Sequence, residues 1–176
     1  MKKNIGNVFE AELKEAFKKL EASYCTALVR FTDTKEAGSV VRATPSDYLL
    51  LLPPESKLSN SDQRVIFFEA KASEVEKHLT RSMLRPAQKR AINHFSALLK
   101  IPYIVCFWDA KNGVIEVWDG LATLGSGKLD KKYKLLEFDG AGCGALNTDR
   151  FVDKMADFLK LPLKRKTLEN YGNVLN

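Results

Sequence analysis

The segment Arg64–Ala72, Arg-Val-Ile-Phe-Phe-Glu-Ala-Lys-Ala, constrains the fold of this chain more than any other segment. Its run of β-branched and aromatic residues predicts a buried β-strand. Because side chains alternate across a strand, Glu69 and Lys71 lie on the face of Phe67, where the pattern predicts further apolar residues. Burial of a carboxylate or an ammonium group is costly unless the group is paired or bound to a metal.

Two interpretations of this charged pair are open. In the first, the end of the strand emerges into solvent, and Glu69 and Lys71 form a local ion pair. In the second, the two residues form a catalytic Glu-x-Lys at the edge of a cleft. The segment alone favours neither interpretation, so the rest of the chain has to separate them.

Length and cysteine usage predict one soluble domain in a reducing compartment. A chain of 176 residues fits a single domain with a sizeable core. It contains no apolar run of about 18 residues, and Met1–Asn4 leads into a charged amphipathic segment rather than a secretion signal. Cys25, Cys106 and Cys143 are far apart, which favours reduced thiols in a cytoplasmic protein.

The net charge favours a polyanionic partner. Lys and Arg outnumber Asp and Glu by 28 to 22, which gives a formal charge of +6 at pH 7. A basic protein of this kind is typical of nucleic-acid binding, although the charge carries no information about chemistry.

Periodicity and turn residues predict an α/β domain with a central mixed sheet flanked by helices. The predicted helices are Ile5–Leu20, Pro86–Lys100 and Thr148–Lys160, and the predicted strands are Thr26–Thr32, Asp47–Leu52, Arg64–Ala72, Pro102–Trp108, Val114–Trp118 and Tyr133–Phe138. The glycine-containing segment 139–147 lacks the Lys-Ser/Thr of a phosphate-binding loop and is interpreted as a flexible connection. Residues 1–162 form the predicted domain, and 163–176 form a basic tail that has little to bury.

Several polar residues stand at chemically informative positions. Asp47 opens a short apolar strand, and if that strand pairs with the next one, Asp47 and Glu69 lie close together. Gln88 lies in the apolar stripe of its helix, where a buried amide needs partners. Glu10 and Glu12 both flank the stripe of the first helix, and periodicity does not select between them.

The ordered set Gly6-x-x-Phe9-Glu10, Pro45-Ser46-Asp47, Glu69-Ala70-Lys71 and Gln88 resembles the PD-(D/E)XK nuclease superfamily. The closest resemblance is to Holliday junction resolvases of the RecU type and their phage and archaeal relatives, and it covers roughly residues 6–108. The proline stands one place early relative to the family pattern. The resemblance selects Glu10 over Glu12. It implies a restriction-endonuclease-like fold and a C2 homodimer that cuts four-way DNA junctions, in the cytoplasm of a bacterial, archaeal or phage-infected cell.

The resemblance also implies a role for each site residue. Phosphodiester hydrolysis needs a hard cation, and magnesium takes oxygen ligands. The implied cofactor is Mg²⁺, with Mn²⁺ as a substitute, and its implied ligands are Asp47, Glu69, the Ala70 carbonyl and, for a second ion or a water, Glu10. Lys71 would orient water or neutralise the phosphate, and Gln88 would hold a water or a neighbouring ligand.

Basic residues near these motifs have two interpretations, a solvated face or a set of phosphate contacts. The candidate DNA-binding residues are Arg81, Arg85 and Lys89, with Arg30 and Arg42 as weaker candidates. His78 and His94 have no partner by spacing and are predicted to be surface histidines. The alternatives to a junction resolvase are another nuclease of the superfamily, of repair or restriction type, and a DNA-binding domain without catalysis.

Overall fold

The computed structural model describes residues 4–31, 44–54, 56, 64–142 and 145–164. The α-helices are α1 (Ile5–Ser23), α2 (Pro86–Ile92) and α3 (Thr148–Leu159), and a π-helical segment, Asn93–Leu98, follows α2. The strands are β1 (Ala27–Arg30), β2 (Tyr48–Leu51), β3 (Val65–Ser73), β4 (Tyr103–Asp109), β5 (Val114–Asp119), β6 (Lys134–Asp139), β7 (Ala141–Gly142) and β8 (Ala145–Leu146).

The first six strands form one mixed sheet in the order of the chain, β1-β2-β3-β4-β5-β6. All neighbouring pairs are antiparallel except β3 and β4, which run parallel. A parallel pair requires a crossover, and the segment that carries α2 supplies it. The α/β class with a central mixed sheet is therefore confirmed.

The two faces of β3 pack against different layers, as side-chain alternation predicts. Ile66, Phe68 and Ala70 belong to the core that α1 and α3 cover. Phe67 belongs to a second core on the opposite face, which contains Ile92 of α2. The strand is thus buried on both sides, and any charged residue in its middle lies within the protein.

The helix that carries Gln88 differs from its prediction. An α-helix to about Lys100 with Leu98 and Leu99 inward is wrong, because the α-helical part ends at Ile92. In the π-helical segment the N–H of Leu99 donates to the carbonyl of His94, five residues back, at 3.1 Å. The wider turn shifts the helical phase, so Leu98 and Leu99 are 65% and 48% exposed. Gln88 precedes the shift and is buried as predicted.

The segment after β6 is also more ordered than predicted. Instead of a flexible connection, β7 and β8 form a short antiparallel pair, and the N–H of Asn147 donates to the carbonyl of Gly140 at 2.7 Å. Near the end of the domain, the N–H of Cys25 donates to the carbonyl of Pro162 at 3.0 Å. The predicted tail from residue 165 onward lies outside the described residues, as does Cys143. In the described ranges, no helix combines the length and apolar character needed to cross a membrane.

Candidate active site

Glu69 lies in the middle of β3 with 0% of its surface exposed. Lys71, two residues further along the same face, places its Nζ 2.5 Å from Oε1 of Glu69. The side-chain amide of Gln88 donates to the same oxygen, and the hydroxyl of Tyr103 donates to Oε2 at 3.3 Å. The carboxylate is therefore held by three side chains from three different elements.

Asp47 stands beside this carboxylate at the entrance to β2. Tyr48 pairs with Phe68 in the antiparallel ladder, so one further step places Asp47 opposite Glu69. The N–H of Ala70 donates to Oδ2 of Asp47 at 2.7 Å, which fixes the carboxylate against β3. Because the N–H and C=O of a hydrogen-bonded strand residue point to the same side, the Ala70 carbonyl also lies on the Asp47 side.

The electrostatics of Glu69 show why this position is costly for a carboxylate. Burial and the nearby charge of Asp47 raise its pKa to about 7, against the opposing effects of Lys71 and Tyr103. The first interpretation of the Glu-x-Lys pair is right about a local ion pair but wrong about solvent exposure. Glu69 is enclosed, and Lys71 is 16% exposed.

Tyr103 is a site residue that sequence reasoning missed. Its hydroxyl donates to the carbonyl of Pro45 at 2.9 Å and also contacts Glu69, so it connects the segment before Asp47 to β3. Burial raises the pKa of the Tyr103 hydroxyl strongly, which keeps it protonated as a donor. The available signal was a tyrosine at the start of a buried strand, where a hydroxyl needs a partner.

Gln88 is oriented from both ends of its amide. The N–H of Arg85, at the start of α2, donates to Oε1 of Gln88 at 2.9 Å, which leaves the amide nitrogen to donate to Glu69. The requirement for buried amide partners is satisfied by these two contacts. The first turn of α2 thereby positions the Glu69 carboxylate.

The acidic residues of α1 lie outside this network. Glu10 is 42% exposed, its carboxylate is 3.6 Å from Arg30, and its backbone carbonyl accepts a hydrogen bond from Tyr48. Glu12 accepts the N–H of Leu146 and so connects α1 to β8. The structure thus does not join Glu10 to Glu69, and it gives Arg30 an acidic partner.

The candidate DNA-binding residues lie in different environments. Arg81 turns inward, and its guanidinium donates to the carbonyls of Gly127 and, at 2.9 Å, Ala122. Arg85 is exposed and Lys89 is partly buried at the first turn of α2. Arg42 lies outside the described residues.

A second buried carboxylate, Glu116 on β5, was missed as well. It is 0% exposed and accepts hydrogen bonds from four donors: His78 Nδ1 at 2.8 Å, Lys134 Nζ at 2.7 Å, Trp118 Nε1 at 2.9 Å and the N–H of Leu79 at 3.3 Å. His78 and His94 are both exposed as predicted, but the prediction that His78 has no partner is wrong. The signal was a glutamate inside the apolar run Val114–Trp118, the same pattern that singled out Glu69.

The pKa of Glu116 moves in the opposite direction to that of Glu69. Burial raises it, but the hydrogen bonds from Lys134, His78 and Trp118 outweigh burial, so the pKa is lowered. Burial lowers the pKa of the Lys134 ammonium group, but its hydrogen bonds to Glu116 and Glu137 outweigh burial, so this pKa is raised. The hydrogen-bond donors around Glu116 thus outweigh the cost of burying its negative charge.

The donor set at Asp47 fits a hard divalent cation. Two carboxylates and the Ala70 carbonyl provide oxygen ligands, and no described residue donates to Oδ1 of Asp47. Across the described parts of the chain, no three His, Cys, Asp or Glu side chains converge on a metal position, so a bound Mg²⁺ would keep several waters. No family model and no curated protein matches this chain.

Proposed function

We propose that the protein is a Mg²⁺-dependent endodeoxyribonuclease whose preferred substrate is a four-way DNA junction. The observation that carries the proposal is the pairing of Asp47 with the enclosed Glu69, next to the ammonium group of Lys71. The preference for junctions comes from the resemblance to RecU-type resolvases. The net charge of +6 is consistent with a DNA substrate.

Asp47, Glu69 and the Ala70 carbonyl would hold the cation. A bound Mg²⁺ would supply positive charge to the phosphate oxygens and acidify the water that attacks phosphorus. Burial is the larger cause of the raised pKa of Glu69 and the charge of Asp47 is the second; a bound cation would offset the second cause and so favour ionisation of Glu69.

The remaining residues of the site position these ligands. Gln88 and Tyr103 fix the two oxygens of Glu69, and the N–H of Ala70 fixes Asp47. Lys71, the cation of the site, would neutralise charge that develops on the phosphate during attack. Glu10 lies at the Tyr48 side of the site, where the resemblance would have it hold a second ion or a water, and Arg30, 3.6 Å from Glu10, would contact the DNA backbone.

One observation favours a second candidate, a DNA-binding domain without catalysis. Both carboxylate oxygens of Glu69 already accept hydrogen bonds from side chains, as they would in a purely structural network. Such a network would bind no metal, and its removal would change stability without changing any reaction.

A cleavage assay separates the two candidates. A labelled four-way junction and a linear duplex of the same sequence are incubated with the protein, with Mg²⁺ or with EDTA. We expect cuts in the junction that require Mg²⁺, and loss of cleavage in Asp47→Asn and Glu69→Gln with junction binding retained or strengthened. Cleavage of both substrates alike would indicate a general nuclease, and wild-type turnover by both variants would refute the site.

The resemblance also proposes a homodimer that places two sites on one junction. Light scattering at micromolar concentration should give twice the mass of 19.8 kDa, and the two cuts should be paired across the junction. A monomer that cuts strands independently would favour the general-nuclease alternative.

A further inference from the structure

A basic cavity lies on the same face of the sheet as Glu69 and is separate from it. Its volume is about 580 Å³, and Glu116 lies beneath its floor, where it contacts His78, Trp118 and Lys134 of the lining. In the register of the sheet, Lys71 pairs with Phe107 of β4, which pairs with Glu116 of β5. Glu69 is two residues from Lys71 along β3, so about 12 Å separates it from Glu116 at the floor of the cavity.

The lining of the cavity carries far more positive than negative charge. It includes five Lys or Arg residues and one acidic residue, Glu76; the five are Lys77, Arg81, Lys128, Lys131 and Lys134. Glu116 and Glu137 compensate Lys134. Within the described ranges, no carboxylate forms an ion pair with Lys128 or Lys131, so their charge is directed at a ligand or at solvent.

Buried contacts hold the walls of this cavity in place. Arg81 donates to the backbone carbonyls of Gly127 and Ala122, which joins the segment after β3 to the segment before β6, and its buried Nε has no acceptor among the described residues. Glu116 ties His78 and Lys134 to β5. A preformed cluster of cations with few acidic partners is the chemistry that recognises phosphate groups.

We propose that this cavity binds a backbone phosphate of the DNA strand that occupies the candidate active site. The inference rests on the proposed nuclease function for the identity of the polyanion. The axial rise of about 3.4 Å per nucleotide is a lower bound on the distance between successive phosphates of one strand, so a separation of about 12 Å corresponds to no more than about three nucleotides. The cavity would hold the strand beside the scissile phosphate and fix its register.

The test uses two double variants that remove the same charge. Lys128→Ala with Lys131→Ala removes two exposed cations of the lining; Lys14→Ala with Lys154→Ala removes two exposed cations from α1 and α3, on the opposite face. Binding of labelled DNA is measured by fluorescence anisotropy at several salt concentrations, in EDTA. We expect the slope of log K against log salt to flatten by about 0.9, the value for one phosphate contact, in the cavity variant and to stay unchanged in the control.

Position along the strand is tested with DNA in which single phosphates are replaced by neutral methylphosphonates. Wild-type affinity should fall at a position within about three nucleotides of the cut, and the cavity variant should be insensitive there. Equal slopes in the two double variants, or equal sensitivity at every position, would overturn the proposal.

Two further outcomes separate this proposal from the nuclease proposal. If the protein never cleaves DNA but only the cavity variant loses salt-dependent affinity, the cavity is supported and the nuclease function fails. If a mononucleotide, titrated at fixed ionic strength, loses affinity in the cavity variant while DNA binding does not change, the cavity is a small-molecule phosphate site and the proposal is wrong. Cleavage at saturating DNA should be the same in both double variants, because these lysines lie outside the Glu69 network.

Discussion

Glu69 and Glu116 are both fully buried on one face of the sheet, yet their surroundings shift the pKa values of the two carboxylates in opposite directions. Glu116 accepts hydrogen bonds from the ammonium group of Lys134 and from three further donors, and its pKa is lowered. Glu69 shares its space with a second carboxylate, and its pKa is raised to about 7. The surroundings of Glu116 thus favour its charged form, whereas burial and Asp47 disfavour the charged form of Glu69, and the proposed Mg²⁺ would offset the effect of Asp47.

The largest expected effect is on the cleavage rate, and it distinguishes Lys71, the cation next to Glu69, from Lys134, the cation next to Glu116. Lys71→Ala should lower the cleavage rate at saturating DNA by about 10²–10³-fold, because the site loses its positive charge next to the phosphate. Lys71→Arg should also be poor, since a broad guanidinium does not replace a compact ammonium group in an enclosed site. Lys134→Ala, the matched change at Glu116, should cost stability and leave this rate within a few-fold of wild type. Equal effects of the two alanine variants on the rate would contradict the comparison.

Neutralisation of Glu116 and of Glu69 should change the free energy of unfolding in opposite directions. Glu116→Gln leaves several buried donors without an acceptor and should lower the free energy of unfolding by roughly 2–4 kcal/mol. Glu69→Gln, in EDTA at pH 8, should raise it by about 1–3 kcal/mol, because a buried carboxylate that resists ionisation is removed. Urea denaturation of both variants measures these changes. Addition of Mg²⁺ should stabilise the wild type but not Glu69→Gln.

The pH dependence of stability sharpens the same contrast. The folded-state pKa of Glu69, about 7, lies above its ordinary value of 4.5, so the folded protein binds more protons between these values. Stability in EDTA should therefore fall as pH rises from about 4.5 to 7, and this fall should be absent in Glu69→Gln. Glu116, with its pKa lowered, contributes stability above its ordinary value of 4.5, and this contribution is lost as pH falls through the lower folded-state pKa. Denaturation of the wild type and of both glutamine variants from pH 7 to below pH 4.5 isolates each contribution.

The smallest expected effect concerns the Tyr103 hydroxyl. Tyr103→Phe removes a donor to Glu69 and to the Pro45 carbonyl, and should lower the cleavage rate by less than about tenfold. Tyr48→Phe is a matched control, because this equally buried tyrosine donates to the backbone carbonyl of Glu10. Both variants should lose about 1 kcal/mol of stability, but only Tyr103→Phe should change the rate. Equal rates in the two variants would make Tyr103 a purely structural residue.

Local pattern was sufficient to predict most of the fold and part of the site. Glu69, Lys71 and Gln88 are conspicuous because each interrupts an apolar periodicity, and Asp47 stands at a strand entrance. Contacts that depend on strand register could not be read in this way, which is why the roles of Tyr103 and of the His78–Glu116 pair were missed. The helix after Gln88 failed for a related reason: nothing in its apolar spacing marks the wider turn that moves Leu98 and Leu99 to the surface.

The β3–β4 pair, the parallel pairing of the main sheet, has a consequence for the order in which the protein folds. The antiparallel pairs β1–β2 and β4–β5 join strands whose adjacent ends are linked directly. The parallel pair β3–β4 instead forms only when the whole crossover segment is in place, and the loss of chain entropy makes that step slow. Gln88 and Tyr103 reach Glu69 only at that step, so the carboxylate remains hydrated until its donors arrive. Gln88→Ala should then accelerate unfolding more than it slows folding in stopped-flow measurements. Construction of the site thus depends on this closure, and a molecule in which β3 and β4 are unpaired carries the residues of the candidate site without their arrangement.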